Sequence, residues 1–388
     1  MLSRNVVVFG IVSLLADVSG DMVVPLLPAF VVTLGGGAAY IGVIEGAAEG
    51  TAALLKYVSG RWADRVRRLL PLAVVGYALA ASVRPFLAVA QAPWQVLAVR
   101  NVDRIGKGIR TSPRDKLLAA SAPRHRLAEA FAFQRGMDHA GAAIGPLLAA
   151  AFLVVWPEQI RRVFLLAAIP GMLAVFALLG VREQSPAPVR REQEGDAPGR
   201  VPGRLLTAIG VFTVGNSTDA LLLLRAESLG VPTVQLPLLW AALHIVRALA
   251  SWPLGRVADQ LGRERTLIVG WLWYAVCYAG FAVARGPAHF WILFAAYGLV
   301  AALTEGTERA MVADAVPPET RGRALGIYNL VTGAGLVAAS VLAGQIWERA
   351  SPTAALLFGA FLAFGASALL RFWTTTGRTG ARRLAAPR

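Results

Sequence analysis

Ionisable residues recur inside the most apolar stretches of this 388-residue chain. Asp17 and Asp21 stand four residues apart, so on a helix both carboxylates share one face. Glu45, Glu49 and Lys56 share a face in the next apolar stretch. Arg100, Asp103, Arg104 and Lys107 form a stripe in a third, and Arg135, Asp138 and His139 gather in a fourth. Asp219 follows the polar turn Asn216-Ser217-Thr218. A charge at the centre of a bilayer costs about 2.5–3.5 kcal/mol on insertion scales, which makes these residues functional candidates by default. The chemistry they suit is reversible proton binding, because burial and nearby cations move a carboxylate's proton affinity in opposite directions. Asp17 and Asp21 are the first candidates for a coupling group, with Glu49 and Asp138 next. The competing reading is a fixed salt-bridge network of Asp17, Glu49, Asp103 and Arg104 that only ties helices together.

Other chemistries find little support. Cys277 is the single cysteine, so an intrachain disulfide and a multi-cysteine metal site are both excluded. His125, His139, His244 and His289 are scattered, without a HExxH pair. A lone buried histidine such as His244 is expected to be a hydrogen-bonded structural residue. Gly106-Lys107-Gly108 lacks the spacing and the following Ser/Thr of a phosphate loop. No nucleophile elbow is present. The chain is therefore not expected to be an enzyme, and neither a cofactor nor a metal is expected.

The elements that must position these charges follow from composition. Hydrophobic residues make up 56% of the chain and charged residues 16%, against roughly 25% charged in soluble domains. So few polar residues cannot coat a soluble chain of this size. Spans of about 20 apolar residues cross a bilayer, and twelve can be read at roughly 6–33, 39–60, 70–91, 94–118, 128–155, 161–181, 204–226, 233–254, 266–285, 288–313, 323–347 and 353–373. The first apolar stretch runs on to Val32 with no small-residue cleavage site before two acidic residues, so it reads as a span rather than a cleaved signal. Residues 182–203, rich in proline, glycine and charge, read as a linker. The expected organisation is a six-helix bundle over 1–181, the linker 182–203, a second six-helix bundle over 204–374 and a basic tail over 375–388.

The two halves repeat. Gly60-Arg61-Trp62-Ala63-Asp64-Arg65 returns as Gly255-Arg256-Val257-Ala258-Asp259-Gln260, and Ala130-Phe131-Ala132-Phe133 with Ala140-Gly141 returns as Ala324-Leu325-Gly326-Ile327 with Ala334-Gly335. The net charge of +15 would suggest nucleic acid in a soluble protein. Here it sits in short loops on one side. Arg4, Arg61, Arg65, Arg67, Arg68, Arg124, Arg126, Arg256, Arg263, Arg265, Arg321 and Arg323 collect there, with the arginines of the linker and tail. Arg161, Arg162, Arg225, Arg285 and Arg349 fall on the other side. The positive-inside rule then makes both termini and the linker cytoplasmic. Trp62, Trp94, Trp156, Trp291, Trp347 and Trp373 fall near span ends, as an interfacial belt does.

The motifs add a resemblance. Gly60, Asp64, Arg65 and Arg68 match the loop signature G-x-x-x-D-R-x-G-R-R of the major facilitator superfamily, with Arg67 where the second glycine is expected. The second copy, Gly255, Asp259, Gly262, Arg263 and Arg265, keeps that glycine and has Gln260 for the basic residue. Arg100 resembles the arginine of the family's helix 4 motif. Gly141-Ala142-Ala143-Ile144-Gly145-Pro146 is similar to the helix 5 G-x-x-x-G-P signature of antiporters, although Ala149-Ala150 replaces the usual glycine pair. The helix 1 run from Asp21 to Pro28, with Pro25 and Pro28, looks like the P-x-x-P ending of drug–proton antiporters. For Gly141 and Gly145, small-residue helix packing is the plain alternative, with Pro146 a kink.

The resemblance implies an all-α membrane protein of twelve transmembrane helices in two pseudo-symmetric six-helix bundles. It implies loop clusters that lock the halves together on one side, which would pair Asp64 with Arg321 or Arg323 and Asp259 with Arg124 or Arg126. It also implies that spans three, six, nine and twelve lie outside a central cavity. Those spans are nearly free of charge, with Arg84 and Arg371 as exceptions. At 1.5 Å per residue, Asp21, Glu45 and Arg100 align in the outer third. Asp17, Glu49, Asp103 and Arg104 align in the middle, and Lys56 and Lys107 toward the cytoplasm, where Asp138 would face Lys107. Only Lys56, Lys107 and Lys116 are lysines among the 38 basic residues, and two of them sit on these stripes. Either an exchangeable ammonium is wanted there, or chance placed them.

The expected function is secondary transport by alternating access, as proton-coupled export of small organic molecules from a bacterial inner membrane. The expected partners are a small-molecule substrate, protons as coupling ion and the lipid bilayer, with no nucleic acid, for a monomeric chain. Coupling charge concentrates in the first half, and aromatics such as Trp240, Tyr297 and Tyr328 would supply substrate surface in the second. The alternatives are proton-coupled uptake of a small anion bound by Arg100, Arg104, Lys107 and Arg135, and a non-transporting sensor on the same fold.

Overall fold

Serine and proline start the helices where the sequence places them. Ser3 Oγ accepts from Val6 N at 3.4 Å and caps the first helix, satisfying an amide that has no partner within the helix. Pro93 opens the fourth helix, while Gln95 Oε1 reaches back to the amides of Gln91 and Ala92. The computed structural model describes residues 3–63, 66, 68–122, 127–183, 201–317 and 321–384. Of these, 61, 127–129, 132, 251–252, 255–259, 321–323 and 373–384 are described by backbone alone.

Among the described residues there are twelve helical spans and no strand. They are α1 (Arg4–Thr33), α2 (Ala38–Ala63), α3 (Leu70–Val89), α4 (Pro93–Ala120), α5 (Leu127–Val155), α6 (Ile160–Leu178), α7 (Gly203–Ser228), α8 (Leu236–Leu261), α9 (Arg263–Val283), α10 (Pro287–Asp314), α11 (Arg321–Arg349) and α12 (Pro352–Leu384). Ten contain an apolar stretch long enough to cross a membrane. The other two, α2 and α4, carry the charged stripes. Packing gives them their place instead: α4 lies against both α2 and α3. α12 continues as helix beyond its apolar stretch, through the basic residues to Leu384.

The halves are built alike. α1 packs on α5 and α6 as α7 packs on α11 and α12, and the α2–α4 contact is repeated by α8–α10. α1 and α7 are both interrupted. α1 tightens into a 3-10 turn at Val24–Leu26, where Pro25 removes a backbone N–H. α7 stops at Gly215 and restarts at Asp219. The carbonyls freed there are met from α9: Tyr274 Oη donates to Gly215 O at 2.9 Å and Tyr278 Oη to Ser217 O at 3.2 Å. Lipid offers no hydrogen bonds to a broken helix, so such partners must be internal. Gly35 and Gly230 end these two helices with φ of 86° and 88°, a conformation that favours glycine.

The halves meet along α2–α11 and α5–α8. Glycines bring the α2 and α11 backbones together: a Cβ added to Gly344 would stand 2.7 Å from Ala38 O, and one added to Gly46 3.2 Å from Val337 O. On the side away from the termini the two cores interlock. Leu221 of α7 packs into the core containing Leu26 and Phe30, and Ala29 of α1 packs into the core of the other half. Ala39 N donates to Glu348 Oε1 at 3.0 Å on that same side. The halves are thus sealed at the end opposite the termini.

Candidate functional site

The charged stripes of α2 and α4 face one another in levels. Arg100 grips Glu45 with two parallel bonds, Nε to Oε1 at 3.0 Å and Nη2 to Oε2 at 3.1 Å. This fork geometry is the strongest form of the pair. Arg100 Nη1 also lies 3.6 Å from Asp103 Oδ2. Asp103 in turn takes Arg84 of α3, at 2.9 Å from Nε and 2.8 Å from Nη2. Arg84 Nη1 donates to Ser19 Oγ at 2.6 Å and to Ala16 O at 3.3 Å, and Ser19 Oγ donates to Ala167 O at 2.6 Å. One buried chain of bonds therefore ties α2, α4, α3, α1 and α6 together, with two negative and two positive groups.

The next level is looser. Arg104 Nη2 reaches Glu49 Oε1 at 3.7 Å, and Arg104 Nε is buried without a hydrogen-bond partner among the described residues. Lys107 lies within electrostatic reach of Asp17 and Glu49, yet among the described residues no hydrogen bond or ion pair joins its ammonium to either. Nearer the termini, Lys56 and Arg135 are exposed, and Lys56 lies within reach of Arg309 from the other half. Asp138 does not take Lys107 as the depth alignment expected. Gln134 Nε2, one helical turn away, donates to Asp138 Oδ2 at 2.6 Å and to Ser13 Oγ at 2.9 Å. A neighbour on the same helix reaches it first. His139 is half-buried on the same helix.

α5 stands close to α1 because of its glycines. A Cβ on Gly141 would lie 2.5 Å from Leu14 O, and one on Gly145 2.5 Å from Val18 O. These residues and buried Pro146 lie at a helix–helix contact beside Asp17, which is the packing role small residues play in membranes.

Two carboxylates of the second half, Asp219 and Glu308, and one that reaches into it, Asp21, take neutral donors. Asp21 of α1 accepts from Trp240 Nε1 of α8 at 3.1 Å, across the two halves. Asp219 accepts from Tyr297 Oη at 2.8 Å. Glu308 of α10 is buried and accepts from Trp271 Nε1 at 3.1 Å and Tyr328 Oη at 2.9 Å. Glu308 and Arg84 were the residues the sequence reading undervalued. An acid three residues after Glu305 and next to Arg309, with Trp and Tyr in neighbouring spans, was the signal for the first. An arginine at the end of an otherwise uncharged span was the signal for the second. His244 also departs from expectation: both ring nitrogens are buried without a hydrogen bond among the described residues, and the ring lies 5.0 Å from that of Trp240.

Of the loop residues, Gly60 faces Ser112 of α4 and Arg68 is exposed. Arg263 pairs with Asp314 of its own half and also reaches Ala310 O. Gly262 before it has φ of 89° and turns α8 into α9. Asp64 and Arg65 lie outside the described residues, as do the side chains of Asp259, Arg321 and Arg323, and Gly255 is described by its backbone alone. So do Arg124 and Arg126, and with them both expected gating pairs.

The sequence profile of the Major Facilitator Superfamily matches residues 9–245 and 203–387. An uncharacterised MFS-type transporter of Methanocaldococcus jannaschii is 31% identical over 382 residues, 96% of this chain and 95% of that one. The multidrug resistance protein MdtH of Cronobacter sakazakii is 29% identical over 156 residues, 37% of this chain and 39% of that one. Among solved structures, a POT family transporter superposes with a TM-score of 0.80 at 11% identity, covering 96% of each chain.

Proposed function

The chain belongs to the major facilitator superfamily of membrane transporters, and from that premise we propose that it exports small organic molecules in exchange for protons. Residues 1–181 and 204–374 act as the two rocking bundles of a monomer, with the termini in the cytoplasm of a bacterial cell. The observation that carries the coupling is the Asp21–Trp240 hydrogen bond. It joins a half-buried acid of one half to a donor of the other, on the side where the halves are sealed. When alternating access opens that side, Asp21 loses its donor and gains water. A carboxylate that changes partner and solvent in this way changes its proton affinity. Asp17, one turn along α1 and facing Lys107, is placed to share the proton.

With the arginine-rich loops read as cytoplasmic, the seal is external and the charged residues Lys56, Arg135 and Arg309 face the cytoplasm, which identifies the state as open inward. Export rather than uptake is supported by the partial relatives named multidrug resistance protein. The test uses inverted membrane vesicles and compounds selected by thermal stabilisation of the purified protein. An imposed proton gradient, acid inside, should drive their accumulation. Asp21→Asn should abolish accumulation while leaving stabilisation by the compound within about twofold. Accumulation that ignores the gradient, or survives Asp21→Asn, would overturn the proposal.

A further inference from the structure

The second half encloses a cavity of about 300 Å³ among α7, α8, α9, α10 and α11. Tyr274, Tyr297 and Tyr328 give it ring surfaces, Arg247 and Arg309 give it positive charge, and Glu305 gives it negative charge. We infer that this cavity holds the transported molecule, and that the molecule is a small aromatic zwitterion: one ring system bearing an ammonium and a carboxylate. The inference rests on the transporter reading and names its substrate class.

Size sets the first limit. A volume of 300 Å³ lies at the floor of small-molecule pockets, enough for a molecule the size of an aromatic amino acid. A large lipophilic dye exceeds this volume and would have to extend beyond the lining residues. Charge sets the second. Glu305 and Arg309 stand one turn apart on α10, a spacing at which acid and base can pair. Both are exposed, and among the described residues no ion pair joins one to the other, while Arg309 also reaches the Tyr328 hydroxyl. Two opposite charges held open in one chamber suit a ligand with two opposite ends. A cation alone would meet Arg247 and Arg309, and an anion alone would meet Glu305. A zwitterion satisfies both signs and brings no net charge into a low-dielectric site, where an unmatched ion is costly.

The walls set the third limit. The rings stand in fixed positions because their polar ends are used elsewhere: Tyr274 on Gly215 O, Tyr297 on Asp219 and Tyr328 on Glu308. What they offer the cavity is ring surface, which attracts a flat ligand by offset or edge contact and an ammonium by its quadrupole. The outer charge group of the first half does not compete for such a ligand. Glu45, Arg100, Asp103 and Arg84 are already bound to each other.

The experiment measures thermal stabilisation of the full-length purified protein by L-tryptophan, tryptamine, indole-3-propionate, L-alanine and ethidium. L-tryptophan should stabilise saturably, with an apparent affinity at least tenfold better than the other four. Glu305→Gln should weaken L-tryptophan about tenfold and narrow its advantage over indole-3-propionate. Arg309→Gln should do the same with respect to tryptamine. These side chains are exposed, so the fold survives their loss, and the opposite shifts in selectivity are not produced by mere damage. Equal binding of tryptamine or ethidium, no binding of L-tryptophan, or indifference to both substitutions would overturn the inference. Proton-coupled flux of another compound by a protein that ignores L-tryptophan would leave the export reading standing. Binding of L-tryptophan without any proton-coupled flux would overturn export and leave the site.

Discussion

The Arg84–Asp103 pair allows its worth to be separated from the cost of breaking it. With Glu45 and Arg100 it forms a buried group of four charges summing to zero. Arg84→Met leaves Glu45, Arg100 and Asp103, a net negative charge in an apolar site. Asp103→Leu leaves Glu45, Arg100 and Arg84, a net positive one. Removing one partner of a buried pair costs about 3–5 kcal/mol, whereas replacing both with apolar residues is often neutral or better. The double variant keeps the two-pronged Glu45–Arg100 pair, which is balanced by itself. At roughly 2 °C per kcal/mol for a large domain, each single variant should melt about 6–10 °C lower than the parent. The double variant should melt within about 3 °C of it. Cys277 makes the assay simple. It is the single cysteine and is buried, so a thiol-reactive dye reports its exposure during melting. If the double variant falls by the sum of the singles, the two residues act independently and the account of a closed charge group is wrong. If neither single variant melts lower, the network holds nothing together.

Two other expectations follow from the helix contacts. Gly145→Leu puts a side chain where even a Cβ lies 2.5 Å from Val18 O, an overpacking that costs about 1–3 kcal/mol; Gly136→Ala on the same helix meets nothing within 4 Å and should leave the melting temperature unchanged. Trp240→Phe removes the donor to Asp21 and should loosen the seal. In a Cys277→Ala, Ala343→Cys background, an impermeant maleimide added from the sealed side should then react several-fold faster, and an unchanged rate would refute the role of that bond.

Much of this arrangement could be read from residue order, for a simple reason. Helix rise converts position into depth, so Glu45 and Arg100, or Glu49 and Arg104, fall level once their spans are aligned. Depth does not give rotation about the helix axis. That is why Arg84, on a span expected to face outward, was not matched with Asp103, although both lie at similar depth. Asp138 shows a different limit. Gln134 lies one turn away in the sequence, and the expectation favoured a cation across the cavity over this near amide. Glu308 depends on Trp271 and Tyr328, 37 and 20 residues away, and apolar spacing carries no sign that these rings point inward. The break in α7 was visible as a polar turn. Its tyrosine partners on α9 were not, since Tyr274 and Tyr278 read simply as apolar residues of an outer span.

Acids bound to arginine and acids bound to neutral donors differ in how they can exchange protons while the helices keep their shape. In the first half, Glu45 and Asp103 are held by arginines, which stay charged at any physiological pH. Protonating either acid there would leave a buried guanidinium unmatched, the costly situation for a buried pair. That half is best suited to move as one rigid body. Asp219 and Glu308 are held by Tyr and Trp groups, which remain neutral donors whichever form the carboxyl takes. A proton gained there alters the strength of a hydrogen bond to a neutral donor, with Arg247 in electrostatic reach of Asp219 and Arg309 of Glu308. Asp21 joins the two regimes. It belongs to the rigid half by chain position and to the neutral-donor set through Trp240. The contact it makes is also one that must break when the halves part. A proton arriving at Asp21 therefore acts on the seal itself, without first disrupting the charge group that gives the first half its rigidity.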